Sequence, residues 1–175
     1  MPLFKNVHRS GSENNAMDHD TYTDDYIRGI LRETRTIGLV GASANWNRPS
    51  FFAMKYLQTK NFRVIPVNPG LAGQTLLGET VFGSLTDIDV SVDMVDIFRN
   101  SEAAGLVTDD AIAIGAKIVW MQLSVRNDGA AKTAEAAGLK VVMNRCPKIE
   151  YARLSGELSW NGFNSRVINS KRRRM

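Results

Sequence analysis

Cysteine is nearly absent from this sequence: Cys146 stands alone among 175 residues. One thiol cannot close an intramolecular disulfide, so no disulfide framework holds the fold, and the usage suits a reducing compartment such as the cytoplasm. Histidine is almost as scarce. His8 and His19 both fall in a polar leader, and no C-x-x-C surrounds Cys146, so a zinc or other metal site is not expected. A Ser-His-Asp set is excluded too, because no histidine is expected in the folded part. No apolar run reaches the length of a membrane span, and no charged, apolar and small-residue succession makes a signal peptide.

A general excess of positive charge is lacking as well. The formal charge is +4, and Lys171, Arg172, Arg173 and Arg174 supply all of it. The basicity belongs to a terminal run, read as a solvated tail, and specific nucleic-acid binding is not expected.

What is present is an ordinary globular composition, 43% hydrophobic, enough for one domain with a full core. The chain is organised around Thr36-Ile-Gly-Leu-Val-Gly-Ala-Ser43 and Ala44-Asn-Trp-Asn-Arg-Pro-Ser50. Ile37 to Val40 predict a short buried strand, Gly41, Ala42 and Ser43 a small-residue turn, and Pro49 the first turn of a helix through Leu57. Strand, small turn and helix in that order form a phosphate-cradling entry: glycine admits an anion close to the backbone, and the free N–H groups at the helix start carry partial positive charge.

Residues 1–20 are polar and aperiodic and predict a disordered or loosely attached leader. From Tyr22 the spacing predicts a helix capped by Asp20, Thr21 or Thr23, with a packing role. Further strands are expected at Phe62–Val67, Asp93–Phe98, Lys117–Leu123 and Leu139–Met143. Helices are expected from Ser101 to Gly115, and from Asn127 or Asp128 to Gly138. Pro66 points to a sheet edge or strand end for the second strand. Gly70–Ser84, with four glycines, reads as an irregular connection. Lys148–Leu154 predicts a short helix, while Trp160 and Phe163 are expected to fold back onto the body. Alternating strands and helices with continuous apolar runs predict an α/β protein. The expected architecture is a Rossmann-like doubly wound parallel sheet of about five strands in a domain over 21–158, with a C-terminal extension over 159–175.

Ligands of such sheets bind beyond the carboxyl ends of the strands. Those ends carry Arg48, Arg99 and Arg145, which are expected around one crevice and favour an anionic ligand. The second strand ends Val67-Asn68-Pro69, without the acidic residue that an NAD site uses for the ribose diol. A phosphorylated adenosine ribose, as in NADP or coenzyme A, tolerates that absence.

The combination of Gly41-Ala42-Ser43, Asn47-Arg48-Pro49-Ser50, Val67-Asn68-Pro69, Val95-Asp96-Ile97-Phe98-Arg99, Val119-Trp120-Met121-Gln122 and Met143-Asn144-Arg145-Cys146-Pro147 resembles the CoA-binding domain family. Its members are small proteins similar to the N-terminal CoA-binding domain of the succinyl-CoA synthetase alpha subunit. The resemblance spans roughly Asp24 to Leu158 and implies a coenzyme A or acyl-CoA site at the first βα turn. It assigns Gly41, Ala42, Ser43, Arg48 and Ser50 to the phosphates. Val67, Asn68 and Pro69 fall to the adenosine end, and Phe98, Arg99 and Gln122 to the rest of the crevice. A counterpart of the synthetase's phosphohistidine domain is not expected in this sequence, so the resemblance does not imply its reaction.

Cys146 is the one candidate reactive thiol, either activated by Arg145 or simply buried. Asp93 and Asp96, three apart on a strand, face opposite sides and make no carboxylate pair. Glu150 and Glu157 are unselected as bases. The expected function is CoA or acyl-CoA binding without catalysis, as sensor, carrier or subunit, with a protein partner or homo-oligomer left open. An NADP-dependent oxidoreductase and an interaction subunit with a vestigial nucleotide site are the alternatives.

Overall fold

The computed structural model describes residues 17–157. Helix α1 (Asp24–Glu33) opens where Thr23 accepts the Tyr26 N–H, with Asp24 and Asp25 in its first turn. Strand β1 (Thr36–Val40) and helix α2 (Pro49–Thr59) follow, then β2 (Arg63–Val67), a small hairpin of β3 (Thr75–Leu76) and β4 (Glu79–Thr80), and β5 (Met94–Ile97). The second half alternates α3 (Ala103–Ala113), β6 (Ile118–Met121), α4 (Asp128–Ala136), β7 (Lys140–Val142) and α5 (Pro147–Ser155).

Five strands form one parallel sheet in the order β2-β1-β5-β6-β7. The chain therefore crosses from β1 outward to β2, then returns past β1 to β5, and the reversal point lies between β1 and β5. This is the expected Rossmann-like doubly wound sheet, and a crevice opens at such a switch point. One face packs Ile27, Ile30, Met54, Leu57 and Tyr151 of α1, α2 and α5 over Ile37, Leu39, Met94 and Trp120. The other packs Ala104, Ala111, Ala131 and Ala134 of α3 and α4 over Val95, Ile97, Val119 and Val141. Alanines on that second face let the helices sit close to the strands. Burying each large side chain such as Ile37 or Leu57 contributes about 1.5–3 kcal/mol.

Pro66 sits in the edge strand β2. Its carbonyl points outward and accepts the Phe82 N–H at 3.0 Å, so its missing N–H removes no bond to β1. At the opposite edge, the outward groups of β7 are bonded by two tyrosines of the N-terminal segment. Tyr26 Oη donates to the Val141 carbonyl at 3.2 Å, and Tyr22 Oη accepts the Met143 N–H at 2.8 Å. Burial pushes the pKa of the Tyr26 phenol up to about 12.

Two expectations are corrected. The Gly70–Ser84 stretch is not wholly irregular: β3 and β4 pair antiparallel through Leu77 and Gly78, both at positive φ, the geometry of a two-residue hairpin turn. Two-residue strands carry too little alternation to be read from sequence. The end of the leader is tied to the body at His19, so a histidine does belong to the folded part. The His19 side chain is buried between Tyr22 Oη at 2.9 Å and Glu135 at 3.1 Å. Trp160, Phe163 and the basic run lie outside the described residues. Among the described residues no helix is long and apolar enough to cross a membrane.

Candidate functional site

A cavity of about 810 Å³ opens beyond the carboxyl ends of the strands. Two helices start against it. Pro49, Ser50, Phe52 and Ala53 come from α2, and Cys146, Lys148 and Ile149 from the start of α5. Both helices have proline at the first position, which pre-sets the turn where no N–H is needed. Two helix N-termini facing one space favour a negative charge between them.

The loop from β1 to α2 is held by its own side chains. Ser43 Oγ accepts the Asn45 N–H at 3.1 Å, Asn45 Oδ1 accepts the Asn47 N–H at 3.0 Å, and the Asn45 carbonyl accepts the Arg48 N–H at 3.0 Å. From β2, Asn68 donates through Nδ2 to the Ala42 carbonyl at 2.7 Å and accepts the Gly70 N–H at 2.8 Å. These bonds fix the loop before any ligand arrives.

Gly41 has a different task from the one read in the sequence. Its N–H and that of Ala42 both donate to the Val67 carbonyl, at 3.0 and 3.3 Å, so neither is directed at an anion. Its φ is +91°, and a Cβ there would lie 2.4 Å from the Phe98 carbonyl oxygen. Glycine is needed because the turn passes against the end of β5. Among the described residues, no acceptor meets the N–H groups of Ser43 or Ser50, which leaves those two for an anion.

Of the residues expected at the site, Gly41, Ala42, Ser43, Arg48, Ser50, Asn68, Phe98, Arg99 and Gln122 line this one cavity. Val67 and Pro69 do not. Val67 is buried and serves through its carbonyl, while Pro69 is exposed at the start of a short 3-10 turn, Pro69–Leu71. Arg145 is also elsewhere: its guanidinium donates to the carbonyls of Asn144 (2.8 Å) and Asp20 (3.3 Å) and lies over the Tyr22 ring. Lys148, passed over in the sequence, takes its place as the third cation of the lining beside Arg48 and Arg99. It sits one residue into α5, and a residue just past a proline at a helix start that follows a strand end is the signal that could have found it.

Among the described residues, the lining contains no carboxylate. Its apolar part comes from Ala53, Phe98, Leu123, Val125 and Ile149, and Phe52, Leu123 and Ile149 remain exposed at the rim. Cys146 lines it too, yet burial pushes the thiol above its ordinary value and Asp96 adds to this, against the N–H groups of Ile149 and Lys148. Activation by Arg145 is therefore corrected: the guanidinium is turned away, and desolvation outweighs the helix start. Glu150 is engaged by Arg153 at 2.7 Å, and Glu157 by Lys60 and by Tyr56 Oη at 2.6 Å. The Lys60 and Tyr56 bonds hold Glu157 below the ordinary carboxylate range. Among the described residues, no cluster of His, Cys, Asp and Glu suits a metal ion. A second cavity of about 740 Å³, with Arg28, Arg32 and Lys60 in its wall, lies at the opposite, amino ends of the strands.

Known proteins resemble this chain in sequence and fold. An uncharacterized protein of Bacillus subtilis strain 168, YneT, is 32% identical over 126 residues, covering 72% of this chain and 92% of that one. A hypothetical protein from Pyrococcus horikoshii OT3 is 39% identical with a TM-score of 0.74, over 78% of this chain and 95% of that one. A Thermus thermophilus structure, cell-free ID.343, is 34% identical with a TM-score of 0.73, over 76% and 99%. The family described as CoA binding domain matches residues 35–152, from the approach to β1 into α5, and so takes in both helix starts and every strand end around the cavity. The chain belongs to the CoA binding domain family.

Proposed function

We propose that the protein binds coenzyme A or an acyl-CoA in the cavity between the starts of α2 and α5, without catalysing a reaction on it, as a cytoplasmic carrier, sensor or subunit. The domain responsible is taken as 21–158. The observation that carries this reading is the charge pattern of the lining: among the described residues, Arg48, Arg99 and Lys148 with no carboxylate, beside an apolar wall. Phosphates of the ligand meet the N–H groups of Ser43 and Ser50 and the three cations, an arrangement suited to a polyanion. The pantetheine arm, long and mostly apolar, matches the wall of Phe98, Leu123, Val125 and Ile149.

The candidate reactive groups are already engaged or buried. Glu150 and Glu157 are in ion pairs, and the Cys146 thiol is held protonated by burial. A thiol in that state is a weak nucleophile at neutral pH.

The test is calorimetric titration of the purified protein with CoA, and with NADP as comparison. Saturable CoA binding with little response to NADP is expected. Preference for NADP would turn the search to reductase substrates, and silence from both would favour a scaffold role. Arg48 is exposed and has no side-chain partner among the described residues. Arg48→Ala is therefore expected to weaken CoA binding roughly tenfold, the worth of one charge-assisted hydrogen bond, with the melting temperature unchanged. Unaltered affinity would remove Arg48 from the site.

A further inference from the structure

A buried polar pair underlies the cavity wall, and of its two members the binding reading uses only Gln122. Asp96 stands on β5 opposite Leu39 of β1 and Trp120 of β6 and is 0% exposed. Burial holds its carboxyl far above the ordinary carboxylate range, at about 8. Among the described residues its one hydrogen-bond partner is Gln122, whose Nε2 lies 2.9 Å from Oδ1 and 3.1 Å from Oδ2. Gln122 is 6% exposed and forms part of the cavity lining. Among the described residues nothing hydrogen-bonds its Oε1. Two apolar residues of similar size would fill this place without desolvating a carboxyl.

The chemistry of the two groups makes them a pair of alternatives. An ionised carboxylate accepts only, so it takes an Nε2 hydrogen and leaves Oε1 for the cavity. A protonated carboxyl also has a hydrogen to give. Its O–H is satisfied when the amide turns to offer Oε1, and the NH₂ group then faces the cavity. We propose that Asp96 is a positioning residue whose protonation selects whether Gln122 presents an acceptor or a donor to the bound ligand. The cavity's preference between a ligand group that donates, such as a thiol or amide N–H, and one that accepts, such as a thioester or amide carbonyl, then depends on pH. The ligand half of this proposal rests on the reading that the cavity binds CoA or an acyl-CoA.

The surroundings leave Asp96 with few electrical neighbours. The flanking strands offer Leu39 and Trp120, α1 buries Ile27, Ile30 and Leu31, and α2 buries Ser50, Ala53, Met54 and Leu57, none of them charged. From α5, Glu150 is neutralised by Arg153, Lys148 lines the cavity wall, and Cys146 is the titratable group whose charge couples to Asp96. Cys146→Ala therefore serves as the control for the thiol.

Two measurements test the pair separately. In ligand-free ¹⁵N-labelled protein, the Gln122 side-chain NH₂ resonances are expected to shift between about pH 6 and about pH 10, either side of the Asp96 midpoint, in the native chain and in Cys146→Ala. The shift is expected to vanish in Asp96→Asn. Affinity is then read by calorimetry with an S-methyl thioether of CoA, which has no thiol of its own to titrate. The native dissociation constant, divided by that of Asp96→Asn at the same pH, is expected to change roughly three- to tenfold across the range, the worth of one hydrogen bond. Gln122→Leu is expected to lose the same pH dependence, and it stands in should Asp96→Asn fail to fold.

Unmoving Gln122 resonances, or the same affinity profile in native and Asp96→Asn, would overturn the proposal. No binding of the CoA thioether at any pH would instead sink the binding reading and the ligand half with it. The resonances of the ligand-free protein would still decide the coupling of the two side chains.

Discussion

Replacing Gly41 by alanine puts the geometry of the first turn to a quantitative test. At φ +91° an added Cβ would stand 2.4 Å from the Phe98 carbonyl oxygen, 3.0 Å from its carbon and 3.2 Å from Arg99 Cδ. Ordinary C···O contacts fall near 3.3–3.6 Å, so one backbone segment must move by about 1 Å. The Arg99 side chain can swing away; the Phe98 carbonyl cannot, because the Phe98 N–H is tied to the Val40 carbonyl at 2.8 Å. Positive φ costs alanine about 1–2 kcal/mol, and forcing a close-packed backbone apart adds about 1–3 kcal/mol. The sum is roughly 2–5 kcal/mol, a large share of a domain stability of about 5–15 kcal/mol. Gly73→Ala supplies the reference. Gly73 has φ +82° with no atom within 4 Å of the added Cβ, so it carries the conformational cost alone. Urea unfolding of both variants, with midpoints and slopes compared, isolates the contact. If Gly41→Ala lost no more stability than Gly73→Ala, the close approach to β5 would not be what demands glycine.

Three further outcomes follow from the site and its surroundings. Arg145→Ala is expected to leave CoA affinity unchanged and to lower stability by about 0.5–1 kcal/mol through the Tyr22 contact; weakened binding in calorimetry would return Arg145 to the cavity. Iodoacetamide at neutral pH is expected to label Cys146 more slowly than a free cysteine, since burial keeps the thiol protonated; rapid labelling followed by mass spectrometry would contradict this. Because the Asp96 carboxyl is raised from 3.8 to about 8, the folded protein binds the extra proton between those values. Its contribution to stability is full below the lower value and is lost as pH rises to the upper one, a change on the order of a few kcal/mol. Asp96→Asn is expected to flatten that decline in melting curves, and an unchanged slope would count against the buried carboxyl.

The parts of this fold that sequence reveals are those governed by neighbours in the chain. The apolar run at Ile37–Val40, the proline at the start of α2 and the Asn127 cap, whose side chain accepts the Ala130 N–H at 2.9 Å, are all local. So is the end of α4 at Gly138, which has φ +88°. The misplaced residues depend on contacts between distant segments. Arg145 and Lys148 are three residues apart, and the Arg145 guanidinium is turned from the cavity toward the Asp20 carbonyl, 125 positions away, and the Tyr22 ring. Asp96 reads in the sequence as a strand residue facing away from Asp93, and its partner is set only when Gln122 is brought over it. Gly41 is recognisable as necessary, but its reason lies in Phe98, which the sequence does not set beside it. Of the candidate site, the loop, Arg48, Arg99 and Gln122 were legible, and Lys148 and the contact of Gln122 with Asp96 were not.

The tyrosines along β7 have a bearing on how copies of this protein can meet. A sheet ordinarily invites growth at its outermost strands, where unpaired backbone groups accept another chain. Here Tyr22 and Tyr26 occupy those groups on β7. On β2 the segment at Phe82 occupies the outward carbonyl of Pro66 and offers its own carbonyl to Asn68. A stranger's strand pairing along the whole of either margin would displace these native bonds. Self-association is thereby steered away from sheet extension, the geometry that leads to fibrils, and toward the helical faces or the apolar rim of Phe52, Leu123 and Ile149. The same hydroxyls bind the segment before α1 to the last strand, so loosening that segment would uncover an adhesive edge.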